Sequence, residues 1–272
     1  MNIKSLITTS VIALVSASAA QAADVIATHE AAPVITTPNF SWTGFYIGGQ
    51  IGNFTSDNKI KGLGKETSIF TKELTPQLSG IVGGIYAGSN IDLGSGLILG
   101  VETDAIWADC EATKTSAIRT LSVPQANSLN DEFKAAGITL KDKFSENDTM
   151  SDHYTYKAKW SGATRARIGF SAFDRVMPYF AGGVAYARMQ GMKSVSGMNA
   201  AKNKKLGGGL YDETKMMVGF TVSGGVDVAM TGNVLLRGEY RYSDFGKKKF
   251  LNNTQEFNYK TNDFRFGVAY KF

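Results

Sequence analysis

The chemistry of this chain is concentrated in charged side chains that recur two residues apart. Glu102 and Asp104, Arg165 and Arg167, and Arg237, Glu239 and Arg241 keep that spacing, and Asp227 and Arg265 have similar surroundings. Such groups could transfer protons or pair with one another. An interval of two residues puts neighbours on one face of a strand. Arginine offers several donors to a carboxylate, so ion pairing is the expected role. Other chemistry has few candidates: two histidines, His29 and His153, and one cysteine, Cys110. A single cysteine allows no intrachain disulfide and no cysteine-based metal site, and no metal ion is expected. No Ser/Asp motif accompanies His153, so the chain does not read as an enzyme. Gly48-Gly49-Gln50-Ile51-Gly52 and Leu206-Gly207-Gly208-Gly209 look like nucleotide loops, but neither lies in a strand–loop–helix context. The net charge of +5 is dispersed along the chain and does not imply nucleic acid.

The elements that hold these charges read as strands. In the last of them Phe264, Phe266, Val268, Tyr270 and Phe272 share one face, and Asp263, Arg265, Gly267, Ala269 and Lys271 the other. The same alternation appears near 97–107, 154–170, 216–229 and 234–243. Glycine-rich strands are expected near 42–53, 77–91 and 176–189, which makes eight. A soluble sandwich would bury the apolar row; a membrane barrel turns it toward lipid and encloses the charges. Chain ends on an aromatic-alternating strand favour the second. Tyr270 and Phe272 resemble the signal read by the outer-membrane barrel-assembly machinery. The expected fold is all-β, an eight-stranded antiparallel transmembrane barrel whose lumen is filled by salt bridges among Glu102, Asp104, Arg165, Arg167, Asp227, Arg237, Glu239, Arg241 and Arg265. Trp42, Trp107, Tyr154, Tyr156 and Tyr242 are expected in its interfacial girdles.

The links follow the same reading. Those at Asp92 to Gly96, Ser171 to Arg175 and Met230 to Asn233 are short. Those near 54–76, 108–152, 190–213 and 244–256 are long. Short periplasmic turns alternating with four long extracellular loops are the outer-membrane pattern. The second loop is net acidic and the third net basic. Residues 1–22 read as a cleavable signal peptide: Lys4, an apolar stretch from Leu6 to Val15, then Ala20-Gln21-Ala22. Residues 23–40 read as a flexible periplasmic segment and 41–272 as the barrel, in the outer membrane of a Gram-negative bacterium.

The run Phe40-Ser41-Trp42-Thr43-Gly44-Phe45-Tyr46-Ile47-Gly48-Gly49 resembles the first strand of a group of alphaproteobacterial outer-membrane proteins. So do Val101-Glu102-Thr103-Asp104, Met177-Pro178-Tyr179, Gly182-Gly183-Val184-Ala185-Tyr186 and the tail from Phe266 to Phe272. With Ala23-Asp24-Val25 and His29-Glu30-Ala31-Ala32-Pro33, the chain is most similar to the hemin-binding outer-membrane proteins of Bartonella, and more distantly to Brucella major outer-membrane proteins. The resemblance implies haem captured at the extracellular loops for iron acquisition or storage. Haem asks for an axial His, Tyr, Met or Cys, an apolar cradle and cations for its propionates. His153, Tyr154, Tyr156 and Met150 are the candidates; His29 should be periplasmic. Met189, Met192 and Met198 edge the third loop with Lys193, Lys202, Lys204 and Lys205. The alternatives are a structural or adhesive protein contacting host molecules, or a narrow porin. Lipids are partners in either case, and Lys247-Lys248-Lys249 could meet lipopolysaccharide phosphates.

Overall fold

In the computed structural model the described residues are 40–62, 75, 77–171, 175–253 and 255–272. The expected signal peptide, nearly all of the segment 23–40 with His29, and most of the first loop lie outside them.

Nine strands and one helix are present among the described residues. They are β1 (Gly44–Gly62), β2 (Ser79–Asp92), β3 (Leu97–Thr115), β4 (Arg119–Thr120), α1 (Val123–Ala135), β5 (Thr149–Phe170), β6 (Val176–Met198), β7 (Lys205–Ala229), β8 (Val234–Phe250) and β9 (Gln255–Lys271). Every pairing is antiparallel. β1 pairs with both β2 and β9, and pairing of β3 with β5 closes a ring of eight long strands. The two-residue β4 lies outside that ring, on β5. No described helix is long and apolar enough to cross a membrane; the crossing is made by strands, with Ile51 and Phe180 among the most exposed side chains at 67% and 74%.

Strand length separates two storeys. A spanning strand needs about 9–11 residues, whereas β5, β6 and β7 have 22, 23 and 25. The expected loops 190–213 and 244–256 are therefore largely strand, with short turns left between β6 and β7 and between β8 and β9, whereas 108–152 is strand mainly at its two ends. The reason is an inversion of polarity at the membrane surface. On β9 below Asp263 the outward row is Phe264, Phe266, Val268 and Tyr270 and the inward row is Arg265, Gly267, Ala269 and Lys271. Above it, Glu256, Asn258, Lys260 and Asn262 lie on the outward row, while Phe257 and Tyr259 are buried inside. The segment remains a two-residue alternation with its sign reversed.

On β5 the reversal coincides with a β-bulge between Ala158 and Trp160. The extra residue shifts the facing of everything above it. Tyr156 is consequently buried inside the barrel and Tyr154 is half-buried on the same face, so neither belongs to the lipid girdle expected of them. Trp42 departs from the girdle too. It closes the periplasmic end with Tyr46, Tyr86, Ile98, Met177, Leu235 and Ala269, and its Nε1 donates to Ser171 Oγ at 3.1 Å. Trp107 stays exposed on the outer face.

The second loop, expected only as a long extracellular link, also holds the helix α1. Pro124 occupies the first turn, and Ser122 N donates to Gln125 Oε1 at 3.0 Å, one arm of a capping box. Leu121, Ala126, Leu129, Phe133, Phe144, Met150, Val195, Leu206 and Leu210 form a small core beneath it. Asn130 Nδ2 donates to Phe144 O at 2.8 Å and its Oδ1 accepts from Phe144 N at 3.0 Å. The acidic second loop and the basic third loop pair with each other: Lys193 Nζ lies 2.8 Å from Glu132 Oε1 and Lys204 Nζ 2.6 Å from Asp142 Oδ1. Leu129→Ala is expected to cost this lid about 2 kcal/mol locally, roughly thirtyfold in its open population. Proteolysis within 116–148 should accelerate accordingly, with no change in unfolding of the barrel.

Candidate functional site

The lumen holds the densest polar arrangement among the described residues. β3 supplies Glu102 and Asp104, β5 Arg165 and Arg167, β7 Asp227, β8 Arg237, Glu239 and Arg241, and β9 Asp263 and Arg265, all buried. Alternation sends every second side chain of each strand inward, and ring closure brings them together. Glu102 is the hub, contacting Arg165 Nη2, with Arg237 Nη1 at 2.5 Å and Arg167 Nη1 at 3.3 Å. Asp227 accepts from Arg167 Nη2 and Arg237 Nε, both at 2.7 Å. Glu239 lies 2.8 Å from Arg165 Nη1 and from Arg241 Nη2. Asp104 takes Arg241 Nη2 at 2.8 Å, and Arg265 Nη2 meets Asp263 at 2.7 Å. The nine side chains named from the sequence thus meet in one layer, with Asp263 added. Within that layer five carboxylates face five guanidinium groups, so buried charge is balanced.

Three tyrosines complete the layer and were not anticipated. Tyr46 OH donates to Glu102 Oε2 at 2.7 Å and Tyr179 OH to Glu239 Oε2 at 2.8 Å. Arg167 lies 3.9 Å from the Tyr179 ring centroid and Arg237 4.4 Å from that of Tyr86. All three stand on the glycine-rich strands whose facing the sequence did not resolve. The glycines are themselves the signal: a Cβ on Gly48 would lie 2.7 Å from Tyr86 Cζ, and one on Gly225 2.7 Å from Tyr179 Cζ. They clear space for rings inside the barrel.

A second, apolar layer fills the outer storey. Tyr156 and Phe257 stack at 4.3 Å and Phe245 and Tyr259 at 5.0 Å, packed with Phe54, Ile60, Leu78, Met189, Met217 and Phe250. Between the layers the void is about 20 Å³, with Arg241, Asp263 and Arg265 on its wall. That is room for about one water molecule.

The four haem candidates are not assembled into one pocket. His153 is half-buried on the outward-facing row of β5, with Nδ1 2.8 Å from Thr115 Oγ1 and Nε2 2.6 Å from Ser196 Oγ. Met150 faces the other way, in the core under α1, and its sulfur accepts from Arg119 Nη2 at 3.5 Å. Tyr156 belongs to the aromatic layer. Burial pushes the hydroxyls of Tyr154 and Tyr156 well above the usual tyrosine range, helped at Tyr154 by the Asp152 carboxylate, which opposes tyrosinate ligation. As placed, these residues do not fit an axial ligand set. The Ser196–His153–Thr115 row has the order of a nucleophile and base, but its third partner is a hydroxyl. No carboxylate holds the imidazolium charge there, and the row is a polar cross-strand ladder. No cluster of His, Cys, Asp and Glu suited to a metal ion occurs among the described residues. Tyr270 and Phe272 pack edge to face at 5.1 Å on the outer face at the periplasmic edge.

A family model described as the outer membrane protein beta-barrel domain matches residues 9–272. A 31 kDa outer-membrane immunogenic protein of Brucella melitensis is 31% identical over 273 residues, covering 96% of this chain and 97% of its own. A 22 kDa outer membrane protein of Rhizobium leguminosarum is 26% identical, covering 86% of this chain and 80% of its own. Among solved structures, the outer membrane protein OprG from Pseudomonas aeruginosa aligns with a TM-score of 0.45 at 12% identity, covering 85% of this chain and 96% of that one. The expected kinship with Brucella outer-membrane proteins is met.

Proposed function

The chain belongs to the outer membrane protein beta-barrel family, and from that premise we propose that it is a non-conducting surface-display protein. It anchors in the Gram-negative outer membrane and holds a rigid extracellular storey against molecules outside the cell. The observation that carries this reading is the filled lumen: an ionic layer and an aromatic layer are stacked in one cylinder, with a void of about 20 Å³ between them. Strands that continue beyond the apolar band under a helix-capped lid are costly for a simple anchor and useful for presenting a surface. The Brucella relative's designation as an outer-membrane immunogenic protein fits a chain whose outer storey is accessible from outside.

Two measurements test it. In planar bilayers the refolded protein should show no stepwise conductance; reproducible single-channel steps would restore the narrow-porin reading. Titration with hemin should give no saturable Soret shift. A saturable shift abolished by His153→Ala would replace surface display by haem capture, and would require the outer wall of β5 to rearrange around the iron. For contact itself, binding of labelled, refolded protein to host-cell surfaces should fall at least several-fold when 116–148 is replaced by a short turn.

A further inference from the structure

Trp107, Trp160 and Arg188 form one cross-strand row on the outer face of β3, β5 and β6, by the pairings Trp107↔Trp160 and Trp160↔Arg188. The row marks a boundary. Below it the outward residues of β5 are Gly162, Thr164, Ala166, Ile168 and Phe170; above it they are Lys157, Thr155 and His153. Trp107 is 56% exposed, and Trp160 packs edge to face on Tyr186 with centroids 6.0 Å apart. Aromatic rings at this height sit at the junction of acyl chains and headgroups. Lys159 is the unmatched residue of the bulge, beside Trp160. Bulges of this kind re-aim side chains at functional positions.

Two cations on this wall stand outside every described ion pair. Across the barrel, on β8 and β9, cations near the same boundary have carboxylates: Lys260 lies 2.8 Å from Asp244 and Lys247 3.4 Å from Glu256. Lys157 stands opposite Glu111 in the ladder. Arg188 and Lys159 have no carboxylate within ion-pair distance among the described residues. An occupant that satisfies both features carries acyl chains below the row and an anion level with it. The geometry points to a binding site for a phosphorylated glycolipid of the outer leaflet, with the phosphate on Arg188 and Lys159 and the sugar edge over Trp107 and Trp160. Arginine suits this task because its planar fork meets two phosphate oxygens at once. A free phosphate would use the cations and leave the rings idle.

The test uses the mature, refolded protein in phosphatidylcholine nanodiscs, read by native mass spectrometry. It is titrated with bisphosphorylated lipid A, with the same lipid stripped of phosphate, and with inorganic phosphate. The phosphorylated lipid should be retained at least tenfold more tightly than the stripped one. Arg188→Gln combined with Lys159→Gln should remove about a tenfold preference, roughly 1.4 kcal/mol. Arg188→Lys should retain an intermediate preference, and Lys247→Gln with Lys249→Gln, where Glu256 already lies 3.4 Å from Lys247, should lose less than twofold. Each variant is first shown folded by its heat-modifiable mobility. Equal retention of both lipids, an equal loss in the β8 variant, or inorganic phosphate binding as tightly as the lipid would each overturn the assignment.

Discussion

Glu102→Gln is expected to lower the unfolding free energy by about 3–5 kcal/mol, the largest single effect anticipated in this protein. Glutamine keeps the shape of the side chain and removes the charge that Arg165, Arg167 and Arg237 share. The layer would then hold four carboxylates against five guanidinium groups, none in reach of bulk water. An uncompensated buried charge carries the full desolvation penalty, whereas the intact pair need add little net stability. Urea unfolding in detergent or lipid measures the change, with Glu111→Gln as control. Glu111 is exposed on the upper part of the same strand and should shift stability by less than about 0.5 kcal/mol. A second variant, Glu102→Gln with Arg237→Gln, restores the count and should recover part of the loss. Equal, small effects at 102 and 111 would mean that water reaches the lumen and screens it, and the non-conducting reading would fail with them.

The part of the molecule inside the membrane was legible because it obeys one rule with a strong signal. On β8, Leu236, Tyr240 and Tyr242 point one way and Arg237, Glu239 and Arg241 the other, and the opposite facing would place three charges in lipid. Ring closure then follows from strand count and turn length. The outer storey is not legible in the same way because its rule is the opposite one. Phe257 and Tyr259 on β9, and Tyr156 on β5, are apolar or aromatic residues facing inward, among polar residues facing water. A search for apolar-outward alternation scores these segments as loop. The bulge before Trp160 shifts the phase of β5 in mid-strand, so an unbroken alternation places Tyr154 and Tyr156 toward lipid. The lumenal tyrosines were hidden differently: beside glycine, a strand has too few side chains to show which face is which. The lid was legible only locally, in Ser122, Pro124 and Gln125, and its core draws Val195, Leu206 and Leu210 from a distant hairpin.

The height at which polarity reverses can be measured by moving one arginine along β9. At Phe266 the outward side chain is 57% exposed and its ladder partners are Ile51 and Gly238, in the middle of the apolar band. Phe266→Arg should cost about 2–4 kcal/mol of stability in lipid, the penalty for an arginine near the bilayer midplane. Eight residues toward the extracellular end, on the same outward row, Asn258 pairs with Lys59 and Lys247. There the membrane penalty is gone, and Asn258→Arg should change stability by under about 1 kcal/mol through local repulsion alone. The contrast separates the two architectures that one alternating pattern permits. If Phe266 packed into a water-soluble core, its replacement would be as damaging in detergent-free buffer as in lipid. If β9 crossed the membrane along its whole length, position 258 would be penalised like 266. Only a cylinder half in lipid and half in water gives a steep cost at one position and almost none at the other.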